Sequence, residues 1–273
     1  MPFTLIQGTF KPDTGKPDGD TVRFAPDNSM LVFMLNRRGK PPIINQDNKT
    51  ISLRYEGIDA MENGARTPES SNATEKNLDL LGITDTVRET KGYILSNQLD
   101  PNGRAISFIF TGKPKDGEAD GDSIFLTPER LKTSINYKLI ANGNAYPLFY
   151  DTLFYDLRQE ITTMVQTARK AKKGIWQNDA TTEGVTWKGA SSLDKLPPLF
   201  PKLWRRLQEY TLDRDFRDDS ETLDEFIDYL QIKRSERVLL VTQGRFTGFD
   251  NVIEVNGNTI KLLFQPEELI FMS

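Results

Sequence analysis

The chain has 273 residues, with 35 Lys and Arg against 39 Asp and Glu for a formal net charge of −4, and it contains neither cysteine nor histidine. Those two zeros exclude disulfides, Cys/His zinc sites, thiol nucleophiles, serine–histidine triads and every imidazole base. Chemistry must run on carboxylates, Arg, Lys, Tyr, backbone groups or a hard metal ion held by oxygen.

In chain order, Phe3 to Phe10, Val22 to Phe24, Met30 to Leu35 and Ile51 to Tyr55 are rich in β-branched, aromatic and aliphatic residues bounded by turn formers, which predicts short strands. Thr67-Pro68-Glu69 combines an N-cap, a proline at the first helical position and an early acid, and predicts a helix through Asn72 to Leu81. Tyr93 to Ser96 and Ala105 to Phe110 are again strand-like, completing a small curved all-β unit. Residues 111–124 form a polar connector whose Asp116, Asp120 and Asp122 lack the spacing of an EF-hand. Thr127-Pro128-Glu129 repeats the capping device and predicts a helix to Asn142, closed by Gly143. Leu153, Phe154, Leu157, Ile161, Met164, Val165, Ala168 and Ala171 recur at three- and four-residue spacing, the strongest helical pattern in the chain, with Gly174 as its end. Lys170, Lys172 and Lys173 sit in the last turns, where cations suit the helix dipole.

Between Asp179 and Pro201 the composition shifts to Thr, Ser, Gly and Pro, which reads as a linker over 180–200 between a first domain, 1–179, and an accessory α+β domain, 201–273. The latter is expected to hold helices over Phe200 to Tyr210 and Ser220 to Gln231. Strands are expected over Val238 to Thr242, Val252 to Val255 and Thr259 to Phe264, with Asn256-Gly257 as a hairpin turn. Residues 180–273 hold 12 basic and 16 acidic groups, so the negative excess lies there. Bulk charge therefore does not drive this protein onto nucleic acid, and any phosphate binding is local. Lys202, Trp204, Arg205 and Arg206 are expected to pack Trp204 and Leu203 while exposing arginine. No apolar run approaches the ~18 residues of a membrane helix and the start lacks the features of a signal peptide, so a cytoplasmic protein is expected.

Three segments collect acids and arginines. Asp18-Gly19-Asp20-Thr21-Val22 would project two carboxylates to one side if extended. Arg54 falls on a strand, with Asp59 and Glu62 on the loop beyond it. Asp100-Pro101-Asn102-Gly103-Arg104 is a turn followed by an arginine. Each alone suits an ordinary turn or surface strand. Together, four acids and two arginines make an inventory for cleaving a phosphodiester, with oxygen ligands for a cation, a carboxylate base and two phosphate forks.

These segments, with the Gly174-Ile175-Trp176 close, resemble the staphylococcal nuclease family over roughly residues 3–178. The resemblance implies an α+β fold, an OB-fold five-stranded β-barrel with three helices, and calcium-dependent hydrolysis of DNA and RNA to 3′-phosphate and 5′-hydroxyl ends. By the same resemblance, Asp20 and Asp59 would ligate Ca2+ with the backbone carbonyl of Ala60, and Asp18 would act through water. Glu62 would be the general base, Arg54 and Arg104 would hold the phosphate, and Phe149 and Tyr150 would flank a nucleotide base. Met61 stands where the family commonly has proline, only six residues separate Glu62 from Glu69, and Pro101-Asn102 replaces a phosphate-contacting pair. The alternatives are a non-catalytic OB-fold scaffold for nucleic acid or protein, and a regulated assembly factor in which the acidic C-terminal domain covers or recruits the barrel; that domain is also the expected route to a homodimer or protein partner.

Overall fold

The computed structural model describes residues 2–62, 65, 67–216 and 221–272. The chain opens with β1 (Phe3–Phe10), β2 (Arg23–Pro26), a single helical turn α1 (Met30–Phe33), β3 (Ile51–Tyr55), β4 (Ile58–Asp59) and α2 (Pro68–Leu80). β5 (Thr90–Leu99), β6 (Ala105–Thr111), β7 (Ser123–Ile124), α3 (Pro128–Leu131), α4 (Ile135–Ala141), β8 (Tyr146–Pro147), β9 (Phe149–Tyr150) and α5 (Tyr155–Lys170) follow. The C-terminal part contributes β10 (Val185–Thr186), α6 (Pro201–Leu212), α7 (Phe226–Lys233), β11 (Arg237–Leu240), β12 (Arg245–Gly248), β13 (Ile253–Asn256), β14 (Thr259–Leu262) and β15 (Leu269–Phe271).

Strands β1, β2, β3, β6 and β5 close into a barrel. β1 is hydrogen-bonded to both β2 and β5, and the ring is completed through β2–β3, the parallel β3–β6 pair and β6–β5. Alternation fills it: Ile51, Leu53 and Tyr55 of β3 are buried while Ser52 and Arg54 between them are half-buried. Phe10 and Phe24 meet at 4.9 Å, and Phe3 stands edge-on to Phe108 at 5.6 Å. The expected five-stranded OB-type barrel with helices is therefore present, and additional sheets lie C-terminal to it.

Local departures from the sequence reading have local causes. Met30 to Leu35 forms a helical turn instead of a strand: the Asn28 Oδ1 accepts from the Met30 N–H at 3.1 Å, and Val32 and Leu35, three apart, are the residues it buries. The helix expected from Thr127 to Asn142 splits into α3 and α4, because Thr133 and Ser134 turn their hydroxyls back onto the carbonyls of Arg130 and Leu131. Ser134 then caps α4 by accepting from the Tyr137 N–H. α5 ends at Lys170, with Ala171 as its C-cap, ahead of Gly174, as Lys172 turns to positive φ. α7 begins at Phe226 instead of near 220, and Ser220 lies outside the described residues.

The C-terminal part is not strung on an exposed connector. Within 180–200, Val185, Trp187, Leu193, Leu196, Leu199 and Phe200 are buried, and β10 pairs with β14. β15 adds in parallel to β9, with Ile270 opposite Phe149. Phe200 lies 6.1 Å from Tyr146 and 6.4 Å from Phe271, so barrel-side and C-terminal residues share one buried cluster. Arg169 of α5 makes a bidentate pair with the buried Glu267, at 2.7 and 2.8 Å. Among the described residues, no helix is long and apolar enough to cross a membrane.

Candidate active site between the barrel and helix α6

The Asp18–Asp20 turn is held from beneath. Asn77 of α2 donates to the Asp18 carbonyl at 2.7 Å and accepts from the Tyr55 hydroxyl at 2.8 Å. Gly19 permits the close approach, since a Cβ there would collide with Ala60 and Ala73. The Asp18 carboxylate accepts from the Asp20 N–H at 3.0 Å, and Asp20 accepts from the Ala60 N–H at 3.2 Å. Ala60 thus meets Asp20 through its amide. The turn into β4 is made by Gly57 at φ 76°, which brings Asp59 back beside β3.

Arg54 ties these pieces together, reaching Asp20 at 3.4 Å and Asp59 at 2.6 Å. The sequence reading did not place a third arginine here. Arg205 of α6, expected on an exposed face, instead donates to both oxygens of Asp59 at 3.0 and 2.8 Å and to Glu62 at 2.6 Å. Its side chain is 24% exposed, that of Glu62 32% and that of Asp59 0%. Lys202, on the same helix, is buried against Glu236 at 2.6 Å with its ammonium 4.3 Å from the Phe271 ring centre.

The electrostatics follow from burial and these contacts. Burial pushes Asp59 upward, but Arg205 and then Arg54 outweigh it and hold the carboxyl below its usual range. Burial raises Glu62 despite the opposing charge of Arg205, with Asp59 and Asp20 adding to the rise. Asp18 is pushed up to about 7, by burial and then by the neighbouring charge of Asp20. Burial also takes Glu56, behind the site, up to about 7. Arg54 and Arg205 are both raised, as their acids overcome the desolvation that works against them.

Arg104 lies apart from this group. Its guanidinium pairs with Asp100 at 2.6 Å within its own turn, and it immediately precedes β6, which runs parallel beside the β3 strand that carries Arg54. Phe149 is fully enclosed under β15, because the C-terminal sheet extends over it, and so presents no face to a nucleotide base. Tyr150 is half-buried, with its ring 6.1 Å from Phe271 and near the Lys202 ammonium.

Among the described residues, no three Asp or Glu side chains converge on one point as a ready metal cage. The donor set nonetheless suits a hard divalent cation. It is all oxygen: among the described residues, Asp20, Asp59 and Glu62 are paired by the two guanidiniums of Arg54 and Arg205, and Asp18 adds a fourth carboxylate beside Asp20, so four acids stand against these two arginines.

Residues 52–178 match the protein-family model described as staphylococcal nuclease homologue. That span contains Arg54, Asp59, Glu62 and Arg104, whereas Asp18 and Asp20 precede it and Arg205 follows it. A search of curated proteins returns no match for the chain.

Proposed function

We propose that this chain, whose residues 52–178 form a staphylococcal nuclease homologue domain, is a calcium-dependent phosphodiesterase acting on DNA or RNA. The observation that carries the reading is the linkage of Asp20, Asp59 and Glu62 through arginines: Arg54 bridges the two aspartates and Arg205 joins Asp59 to Glu62. Asp20 and Asp59 would hold the cation, with the Ala60 carbonyl and, through water, Asp18. Bound there, Ca2+ would supply charge neutralisation at the phosphate.

The remaining roles belong to the chain itself. Glu62 takes the proton of the attacking water. An ordinary carboxylate is a weak base, and the upward displacement by burial moves Glu62 toward the range where proton abstraction at neutral pH is effective. Arg54 holds the phosphate by its planar fork and offsets the charge that grows on the phosphoryl oxygens in the transition state. Arg104, with part of its side chain in solvent, is the second phosphate contact. Water attack with departure of the 5′ oxygen leaves 3′-phosphate and 5′-hydroxyl ends.

The test is cleavage of single-stranded DNA, duplex DNA and RNA by the purified chain in calcium, magnesium and chelator, beside Glu62→Gln. The expected result is calcium-dependent cleavage that falls by roughly 10²- to 10⁴-fold in the variant. Equal cleavage by Glu62→Gln would contradict the base assignment. The scaffold reading has one observation in its favour, the engagement of both Asp59 and Glu62 by Arg205. A folded chain that binds nucleic acid and cleaves it under none of these conditions would favour that reading.

A further inference from the structure

Arg205 enters the site from a helix that is locked in place by its other residues. Leu203 and Leu207 are fully buried in the C-terminal core, and the Trp204 indole donates to the Leu193 carbonyl at 3.0 Å. Lys202 and Arg206, one turn apart, both pair with Glu236, at 2.6 and 2.9 Å. The backbone of α6 at Arg205 is therefore fixed over the acids, while the guanidinium sits at the end of a long side chain with several free torsions. It occupies both oxygens of Asp59 and one of Glu62.

Those are the lone pairs that a cation at Asp59 and a proton-accepting Glu62 must have free. A guanidinium and a metal ion cannot use the same carboxylate lone pairs at once, and each positive charge lowers the local attraction for the other. We propose that Arg205 sets the cation affinity of the site: it is the resident counter-ion that a divalent cation must displace from Asp59 and Glu62. The inference rests on the phosphodiesterase reading above. The C-terminal module then serves the barrel's chemistry through one side chain, and its backbone need not move. With Arg205 paired, only the minor population with the side chain swung away is competent to take the ion, so the apparent dissociation constant is raised by the inverse of that fraction.

The experiment is calorimetric titration of calcium chloride into the metal-stripped full chain and into Arg205→Ala and Arg205→Gln, each checked for native circular dichroism and cooperative unfolding. Both variants are expected to bind calcium at least about tenfold more tightly than the parent. Affinities equal within twofold, or weaker in the variants, overturn the role of Arg205 while leaving the calcium site standing. Absence of calcium binding in all three proteins overturns the calcium reading and this inference with it. The unaltered chain supplies an independent readout that needs no variant to fold. The guanidinium N–H signals of Arg205 in nitrogen-15 NMR are expected to be protected from exchange in chelator and to lose that protection in saturating calcium; protection unchanged by calcium overturns the proposal.

Discussion

Glu62 and Arg205 touch although 143 residues separate them, and the two regions that meet there are built differently. On the barrel side, the acids sit on short turns fixed by backbone and buried side-chain hydrogen bonds, as with Asp18 over Asn77 and Asp20 on the Ala60 amide. On the α6 side, a single flexible arginine projects from a helix whose other faces are committed to packing and to Glu236. The barrel supplies the acids and the C-terminal module supplies one of the two guanidiniums that meet them. Both regions contribute to the lowered carboxyl of Asp59, on which Arg205 and then Arg54 act against burial.

The sharpest break of this comparison is to separate the two regions. A chain ending at residue 179 would strip β15 from β9 and uncover Tyr146 and Phe149, which the intact protein buries against Phe200 and β15. It is expected to lose cooperative folding, measured by thermal unfolding with circular dichroism. A soluble 1–179 fragment melting within a few degrees of the parent would show that the barrel stands alone. Phe271→Ala weakens the same junction without cutting it, since Phe271 lies against Phe200, Phe249 and Tyr150. The expected cost is about 3–5 kcal/mol by urea unfolding, in one transition seen equally by barrel and C-terminal probes. Two separate transitions would contradict a shared core.

Much of this division could be read in the sequence, and the reasons are physical. Ile51–Tyr55 matched its expected strand because alternation and turn punctuation fix a barrel strand locally. α2 followed from Thr67-Pro68, whose cap is set within four residues: the Thr67 hydroxyl accepts from the Ser70 N–H. The acids and arginines of the barrel were visible because each lies on a turn or strand with its own signature. Arg205 had none. An arginine on an amphipathic helix has the same local pattern whether it faces water or a buried aspartate 146 residues away, and it is the packing of the C-terminal part against the barrel that decides between them. The enclosure of Phe149 was hidden for the same reason. Residues 180–200 looked like a connector by composition, yet their few apolar side chains, Trp187 and Leu193 among them, are the ones that pack.

A subtler contrast lies between Asp20 and Asp59, which pair with arginine, and Glu56, for which burial dominates. Glu56 is buried and its carboxyl is raised from 4.5 to about 7, by burial acting against the Gly57 N–H and the charge of Arg54. The folded chain therefore binds the proton more tightly than the unfolded one. Between about pH 4.5 and 7 the folded state holds more protons, so this group's contribution to stability is present at low pH and is lost as pH rises through 7. Glu56→Gln should remove that dependence, making the variant gain on the parent by about 2.5 kcal/mol between pH 5 and pH 8 in urea unfolding with chelator present. An unchanged difference between the two pH values would contradict the burial of a titrating carboxyl.

The most direct test of the claim that the two regions build one site is a double-mutant cycle across the junction. Unfolding free energies would be measured in chelator for the parent, Glu62→Gln, Arg205→Gln and the double variant. A coupling energy of about 1–2 kcal/mol is predicted, because each single change removes the same short charge-assisted contact. Additivity within about 0.3 kcal/mol would contradict the contact between Arg205 and Glu62, and with it the assignment of the C-terminal helix to the barrel's site.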